Sequence, residues 1–220
     1  MTTSKVTEQI TQAGRQIEED SFAIVDREAG DHTYGQGQWE VVRRLIHASA
    51  DFDFNGLVKF HPDAVTAGVK AVTNGAKIIT DVEMICVGLS KVRMEHFGMA
   101  ASQYISDDDV IEEAKKVNST RAVQAMRKAH RLGLLDGSIV GIGNAPTALI
   151  ELIRLINEEG AKPALIVGMP VGFVSAAESK EMVQHLKTTP WIVIQGRKGG
   201  SPLVVSAIHA LMTLAQRAEH

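Results

Sequence analysis

SIVGIGNAPTALIELIRLINEEGAKPALIVG, residues 138–168, decides how the rest of the chain is read. A short apolar segment, SIVGI, runs into a turn of small residues. The helical stretch TALIELIRLINEEG follows, and then a second apolar segment, PALIVG at 163–168. Strand, small-residue turn, helix, strand is the unit that builds a parallel sheet, because parallel neighbours need a crossover and a helix supplies it. The rhythm recurs on both sides. Upstream are GLVKF (56–60), KIITD (77–81) and GMAASQYI (98–105), each followed by a helical segment. Downstream, MPVGFVSAAESK leads into a helix ending near Leu186, WIVIQ (191–195) is a strand, and LVVSAIHALMTLAQRA is a closing helix. The expected fold is α/β: one domain over residues 1–220, a mostly parallel β-sheet with helices on both faces, and residues 1–16 a loosely packed N-terminal segment.

Other segments carry weaker signals. Ile17, Phe22, Ile24 and Val25 are expected to anchor a first helix to a neighbour. REAGDHTYGQGQ (27–38) reads as a loop, and Gln38 to Ala48 as a helix with Val41, Val42, Leu45 and Ile46 on one stripe. DDDVIEEAKKVNSTRAVQAMRKAHRLGLLDG is a long helical region that Asn118, Ser119 and Thr120 break in two. Ser175 and Glu178 have the spacing of a helix capping box.

Composition bounds the function. The chain has 220 residues and a formal charge of −3, so nucleic acid is not a favoured partner. One cysteine, Cys86, allows neither an internal disulfide nor an all-cysteine metal site, which fits a cytoplasmic setting. MTTSKVTEQI does not read as a signal peptide, and no segment reads as membrane-spanning. The histidines form no HExxH or other compact ligand cluster, so no metal site is expected, and no G-x-S-x-G elbow marks a serine hydrolase.

In an open α/β sheet, ligands bind beyond the carboxyl ends of the strands. Three glycine-rich turns are expected to converge there: GIGNAP (141–146), GMPVGF (168–173) and GRKGG (196–200). GIGNAP is not G-x-G-x-x-G and has no Walker lysine. Asn144 either caps the next helix or binds ligand, and the turn also makes sense with no ligand at all. Met169, Val171 and Phe173 between small residues suit an apolar wall beside a cleft. Arg197 and Lys198, with the amides of Gly199 and Gly200, suit carboxylate or phosphate. Asp81 stands at a strand end.

RRLIHASADFDF (43–54) raises a separate question. His47 closes a helix, where a histidine is common for dipole reasons alone. It is also a group that donates or accepts a proton near neutrality. Arg43 lies on the same side, four residues back. Asp51 or Asp53 is positioned to orient the ring, and Ser49 to hydrogen-bond beside it.

Taken together, RRLIHASADFDF, TDVEM (80–84), GIGNAPTAL (141–149), MPVGFVSAAESKE (169–181) and GRKGGS (196–201) resemble the precorrin-8X methylmutase family, which includes the cobalt-precorrin-8 methylmutases of cobalamin biosynthesis. The resemblance runs from about Ile17 to Leu214. It implies an α/β isomerase, homodimeric, with active sites near the subunit interface. The implied reaction moves a methyl group from ring carbon 11 to carbon 12 of precorrin-8X or cobalt-precorrin-8, giving hydrogenobyrinic or cobyrinic acid, with no cofactor and no external methyl donor. The family's histidine falls on His47, as donor of a proton or hydrogen bond to the macrocycle. Substrate contacts are then expected from Arg43, Ser49, Asp81, Asn144, Met169, Val171, Phe173, Arg197, Lys198, Gly199 and Gly200. Transient contacts with neighbouring pathway enzymes are implied as well. Two departures stand out: Ala13-Gly14 where the family often has a proline, and Gln195 where it usually has another arginine. The competing readings are a corrinoid-binding protein without turnover, and an unrelated α/β enzyme that binds a nucleotide.

Overall fold

The computed structural model describes residue 9 and residues 11–219. The loosely packed segment expected over 1–16 therefore falls partly outside the described residues. Its described end opens helix α1 (Gln12–Glu28), which Thr11 caps by accepting the Gly14 N–H. Then come α2 (Gln36–Ser49), a short helical turn α3 (Phe54–Leu57), β1 (Val58–Phe60), α4 (Ala64–Thr73) and β2 (Ile78–Thr80). Two short helices, α5 (Glu83–Gly88) and α6 (Lys91–His96), precede the two-residue β3 (Ala101–Ser102). The long helical region is two helices, α7 (Asp108–Lys116) and α8 (Arg121–Arg131), with Asn118 left-handed at φ 50° between them and Thr120 capping the second. The opening stretch forms β4 (Ile139–Ile142), α9 (Pro146–Glu159) and β5 (Leu165–Gly168). The chain ends with α10 (Ala176–Val183), β6 (Trp191–Ile194) and α11 (Ser201–Ala218).

The sheet order is β1-β6-β5-β4-β2-β3. Five strands are parallel. β1 runs antiparallel to β6 at the edge, with Val58 opposite Ile194, so the sheet is mixed. Alternate residues of each strand feed two separate cores. Ile139, Leu165, Val167, Ile192 and Ile194 pack with residues of α2, α4 and α11. Val140, Ile142, Ile166 and Val193 pack with residues of α8, α9 and α10. Burial on both sides is why these strands read as unbroken apolar runs. The central position of α11 explains its composition: Leu203, Val204, Ala207, Ile208 and Leu211 are all buried, against α2 and α4 as well as the sheet.

Helix α1 departs from its expected role. Val25 alone among its residues is buried, Phe22 is half-buried, and Ile17 and Ile24 stay exposed. Among the described residues no helix is long and apolar enough to cross a membrane.

Candidate active site

Helix α2 buries Val41, Val42, Leu45 and Ile46, which turns Arg43 and His47 to the other side. Both meet Phe22 of α1. The His47 ring stacks on it at 4.5 Å with a 19° interplanar angle, and the Arg43 guanidinium carbon lies 4.6 Å from the same ring centre. His47 has no hydrogen-bond partner among the described residues. Desolvation by its surroundings pulls its pKa below 6.5; Arg44 and then Arg43 add to this, and Glu18 opposes it. A histidine that served the α2 dipole would do so as a cation. The lowered pKa holds the ring toward neutrality, so that dipole contribution is weakened.

The turn after α2 corrects one expectation. Neither Asp51 nor Asp53, the alternatives for orienting His47, bonds to its ring; both grip Lys198, at 2.6 and 2.7 Å from its ammonium. Ser49 is used locally, donating to the Leu45 carbonyl at 2.8 Å and accepting the Asp51 N–H at 3.2 Å. The two carboxylates pull Lys198 out of the glycine-rich loop and bind that loop to the end of α2, and Lys198 in turn holds the Asp51 carboxyl below its ordinary value of 3.8. The His47 turn is thereby joined to the strand ends.

The three turns do converge there. The Val171 N–H donates to the Gly143 carbonyl at 3.3 Å, Gly172 N–H to Arg197 at 3.2 Å, and Gly200 N–H to Met169 at 2.8 Å. Contact is close enough to require glycine. A Cβ on Gly143 would stand 2.7 Å from the Ser201 backbone, and one on Gly199 would strike the Met169 and Pro170 carbonyls.

Asp81 is fully buried and accepts three backbone N–H groups, from Gly143 at 3.0 Å, Asn144 at 2.8 Å and Ala145 at 2.7 Å. Burial pushes its carboxyl above 3.8 while the amides pull the other way. This is the point between β2 and β4 where the strand order turns back, the usual ligand crevice of such sheets. The amides that would cradle a nucleotide phosphate are already filled by a side chain of the protein itself. Asp81 therefore shapes the loop from beneath, and what the loop presents outward is the exposed Asn144 side chain.

The apolar wall is also redrawn. Met169 is 0% exposed and belongs to the core. Val171 and Phe173, at 47% and 85% exposed, do face outward, joined by Val174. Ser175 adopts φ 60° and makes no side-chain cap bond, so the expected capping box does not form. Of the two loop cations, Lys198 is engaged by acids, whereas Arg197 is exposed with its guanidinium 5.7 Å from the Phe173 ring centre.

A separate cavity of about 310 Å³ is lined in part by Phe22, Arg43, Arg44, Arg93 and Arg217. Three of its arginines face acids: Arg43 pairs with Asp26 at 2.7 Å, Arg217 with Glu40 at 2.8 Å, and Arg44 with Glu18 at 3.8 Å. The sequence reading had not placed Phe22 under His47, nor had it singled out Lys180, a lysine buried in α10. The signal for Lys180 was present: with Ala176 and Val183 it falls on the buried stripe of that helix.

Comparison with known proteins identifies the family. The family model described as precorrin-8X methylmutase matches residues 16–214. The cobalt-precorrin-8 methylmutase of Leptospira interrogans is 51% identical over 214 residues, 95% of this chain and 97% of that one. The precorrin-8X methylmutase of Pseudomonas aeruginosa is 37% identical, covering 91% and 95%. The crystal structure of precorrin-8x methyl mutase from Thermus thermophilus superposes with a TM-score of 0.88 at 49% identity, covering 93% of this chain and 97% of that one. With nearly its whole length matched in sequence and in fold, this chain belongs to the precorrin-8X methylmutase family.

Proposed function

We propose that the protein is an isomerase that moves the ring methyl of precorrin-8X or cobalt-precorrin-8 from carbon 11 to carbon 12, giving hydrogenobyrinic or cobyrinic acid. The observation that carries this reading is the Lys198 bridge to Asp51 and Asp53, which ties the His47 turn to the loops beyond β4, β5 and β6. A proton donor, an apolar ledge and an uncommitted guanidinium then share one rim. His47 acts on the macrocycle, donating a proton or a hydrogen bond as electron density shifts during the methyl migration. Phe22 fixes the plane of its ring. Val171 and Phe173 lie against the flat face of the substrate, and Arg197, Asn144 and the loop amides take its peripheral carboxylates. The methyl group leaves one ring carbon and joins its neighbour in the same molecule, so the step consumes no donor and changes no oxidation state.

Arg43, Ser49, Asp81, Met169 and Lys198 serve this site from behind. Their polar groups or side chains are committed to Asp26, Leu45, the loop amides, the core and the two aspartates. Two copies pair, and the exposed Ile17 and Ile24 of α1, close in sequence to Phe22, are surfaces that a second subunit covers.

The test is an anaerobic assay with each substrate, followed by absorbance, with the migrated methyl located by NMR. Turnover of either supports the reading. Tight binding of both without turnover establishes a corrinoid-binding protein instead, and neither binding nor turnover ends the assignment.

A further inference from the structure

Lys180 is among the largest side chains with no solvent exposure in this protein, and no carboxylate among the described residues pairs with it. Its ammonium makes one bond, to the Lys198 carbonyl at 2.7 Å. An uncompensated buried cation works against folding. Burial alone pulls its pKa down to about 8, which still leaves it mainly charged near neutrality. Its position on the apolar stripe of α10, beside Ala176 and Val183, is one that a hydrophobic residue would fill without that penalty.

The bond has a geometric consequence. In a trans peptide the carbonyl and the following N–H point in opposite directions. Lys180 draws the Lys198 carbonyl inward, so the Gly199 N–H is turned outward. The Gly172 N–H holds the Arg197 carbonyl, and Gly196 and Arg197 form a turn that closes the Lys198 N–H back toward the Gln195 carbonyl. The Gly199 amide has no acceptor among the described residues. Gly199 has no side chain to screen its amide, and the neighbouring Met169 and Pro170 carbonyls leave no room for one.

We propose that Lys180 is a positioning residue: its buried ammonium orients the Lys198–Gly199 peptide so that the Gly199 amide, beside Arg197, receives one carboxylate of the substrate. The carboxylate in turn supplies the charge that the buried ammonium lacks. The inference rests on the methylmutase reading for the identity of the ligand.

The experiment compares the full-length protein with Lys180→Met, which keeps length and volume and removes both charge and donor. Activity of the parent is measured first; if it turns over neither substrate, the functional reading has failed, independently of Lys180. With an active parent, the expected variant melts at or above the parent temperature, its KM rises at least tenfold, and its kcat stays within about twofold. A variant with unchanged KM overturns the proposal, whether or not its melting temperature falls, and so does one that loses kcat at unchanged KM. Amide NMR of the parent decides the matter if the variant does not fold. The Gly199 amide proton is expected to shift downfield on addition of hydrogenobyrinic acid, and an amide that stays in place while the product binds overturns the proposal.

Discussion

Replacing Asp81 by Asn tests whether the β4 loop is held from beneath by one carboxylate. The substitution preserves shape but exchanges an acceptor oxygen for an NH₂ group. Oδ2 receives two N–H groups, from Asn144 and Ala145, and Oδ1 receives one, from Gly143. The best orientation of the new amide keeps the pair and sets its NH₂ against the buried Gly143 N–H. A buried donor left without its acceptor costs about 2 kcal/mol, and two bonds reduced from charged to neutral acceptors lose about 1 kcal/mol each. Burial outweighs the amides in raising the Asp81 carboxyl, so relief of the desolvation offsets the weakening of those two bonds, and the net loss is about 2 kcal/mol. For a chain of this size that lowers the melting temperature by roughly 4–8 °C at pH 7.

The pH dependence has a definite sign. Burial raises the native Asp81 carboxyl above its ordinary 3.8, so the linked stability is fully present below that value and is lost as pH rises through the native one. The gap between parent and variant is therefore widest in acid, narrows through that window and is constant above it. Thermal unfolding by circular dichroism from pH 3 to 8 measures both features. A variant that melts within about 2 °C of the parent at pH 7 refutes the account of the loop.

His47→Ala is expected to keep the fold and the binding while losing most turnover. In the parent, if the protonated ring is the donor, kcat/KM falls as pH rises through an apparent value below 6.5, because the group's pKa is depressed in the free enzyme. A flat profile across that range argues against the proton-donor role. Phe22→Ala removes the ring stacked on His47, and the imidazole pKa read by NMR titration moves up toward 6.5 as its desolvation is relieved; an unchanged value would show that Phe22 does not set the environment of that ring. Arg197→Met raises KM severalfold with little change in kcat, and unchanged substrate affinity would remove Arg197 from the site. Gly143→Ala sets a Cβ 2.7 Å from the Ser201 backbone and destabilises the protein by about 1–3 kcal/mol in urea unfolding, an overpacking penalty that a neutral result would contradict.

Much of the architecture was visible along the chain because its signals are local. The apolar runs of β4, β5 and β6 lie between helices that cross from one strand to the next, and that succession admits few arrangements besides a parallel sheet. The break at Asn118 to Thr120 was legible because capping chemistry acts over three or four residues. The direction of β1 was not. A short strand shows the same side chains whether its neighbour runs with it or against it, and Val58 meets Ile194 only through pairing with a distant segment. Met169 and Val171 illustrate the same boundary: both are apolar residues of one turn, and only the packed sheet decides that the first is core and the second wall.

The site divides along that line. His47, Arg197 and the three glycine-rich turns are candidates on residue type and spacing alone, and the motif set resembles one family before any contact is known. What they touch was settled only in three dimensions. Lys198 lies 147 positions from Asp51, and nothing local states that this cation answers two aspartates and leaves Arg197 as the exposed one. Asp81 lies 62 positions from Gly143, so the anion that fills the β4 loop comes from another strand. The sequence alone determined the main elements, the helical crossovers between strands and the chemical groups available, because propensity, periodicity and capping depend on near neighbours. The tertiary structure decided which charges are matched, which amides remain open and which side chains are exposed, because electrostatic pairing and burial depend on distance in space.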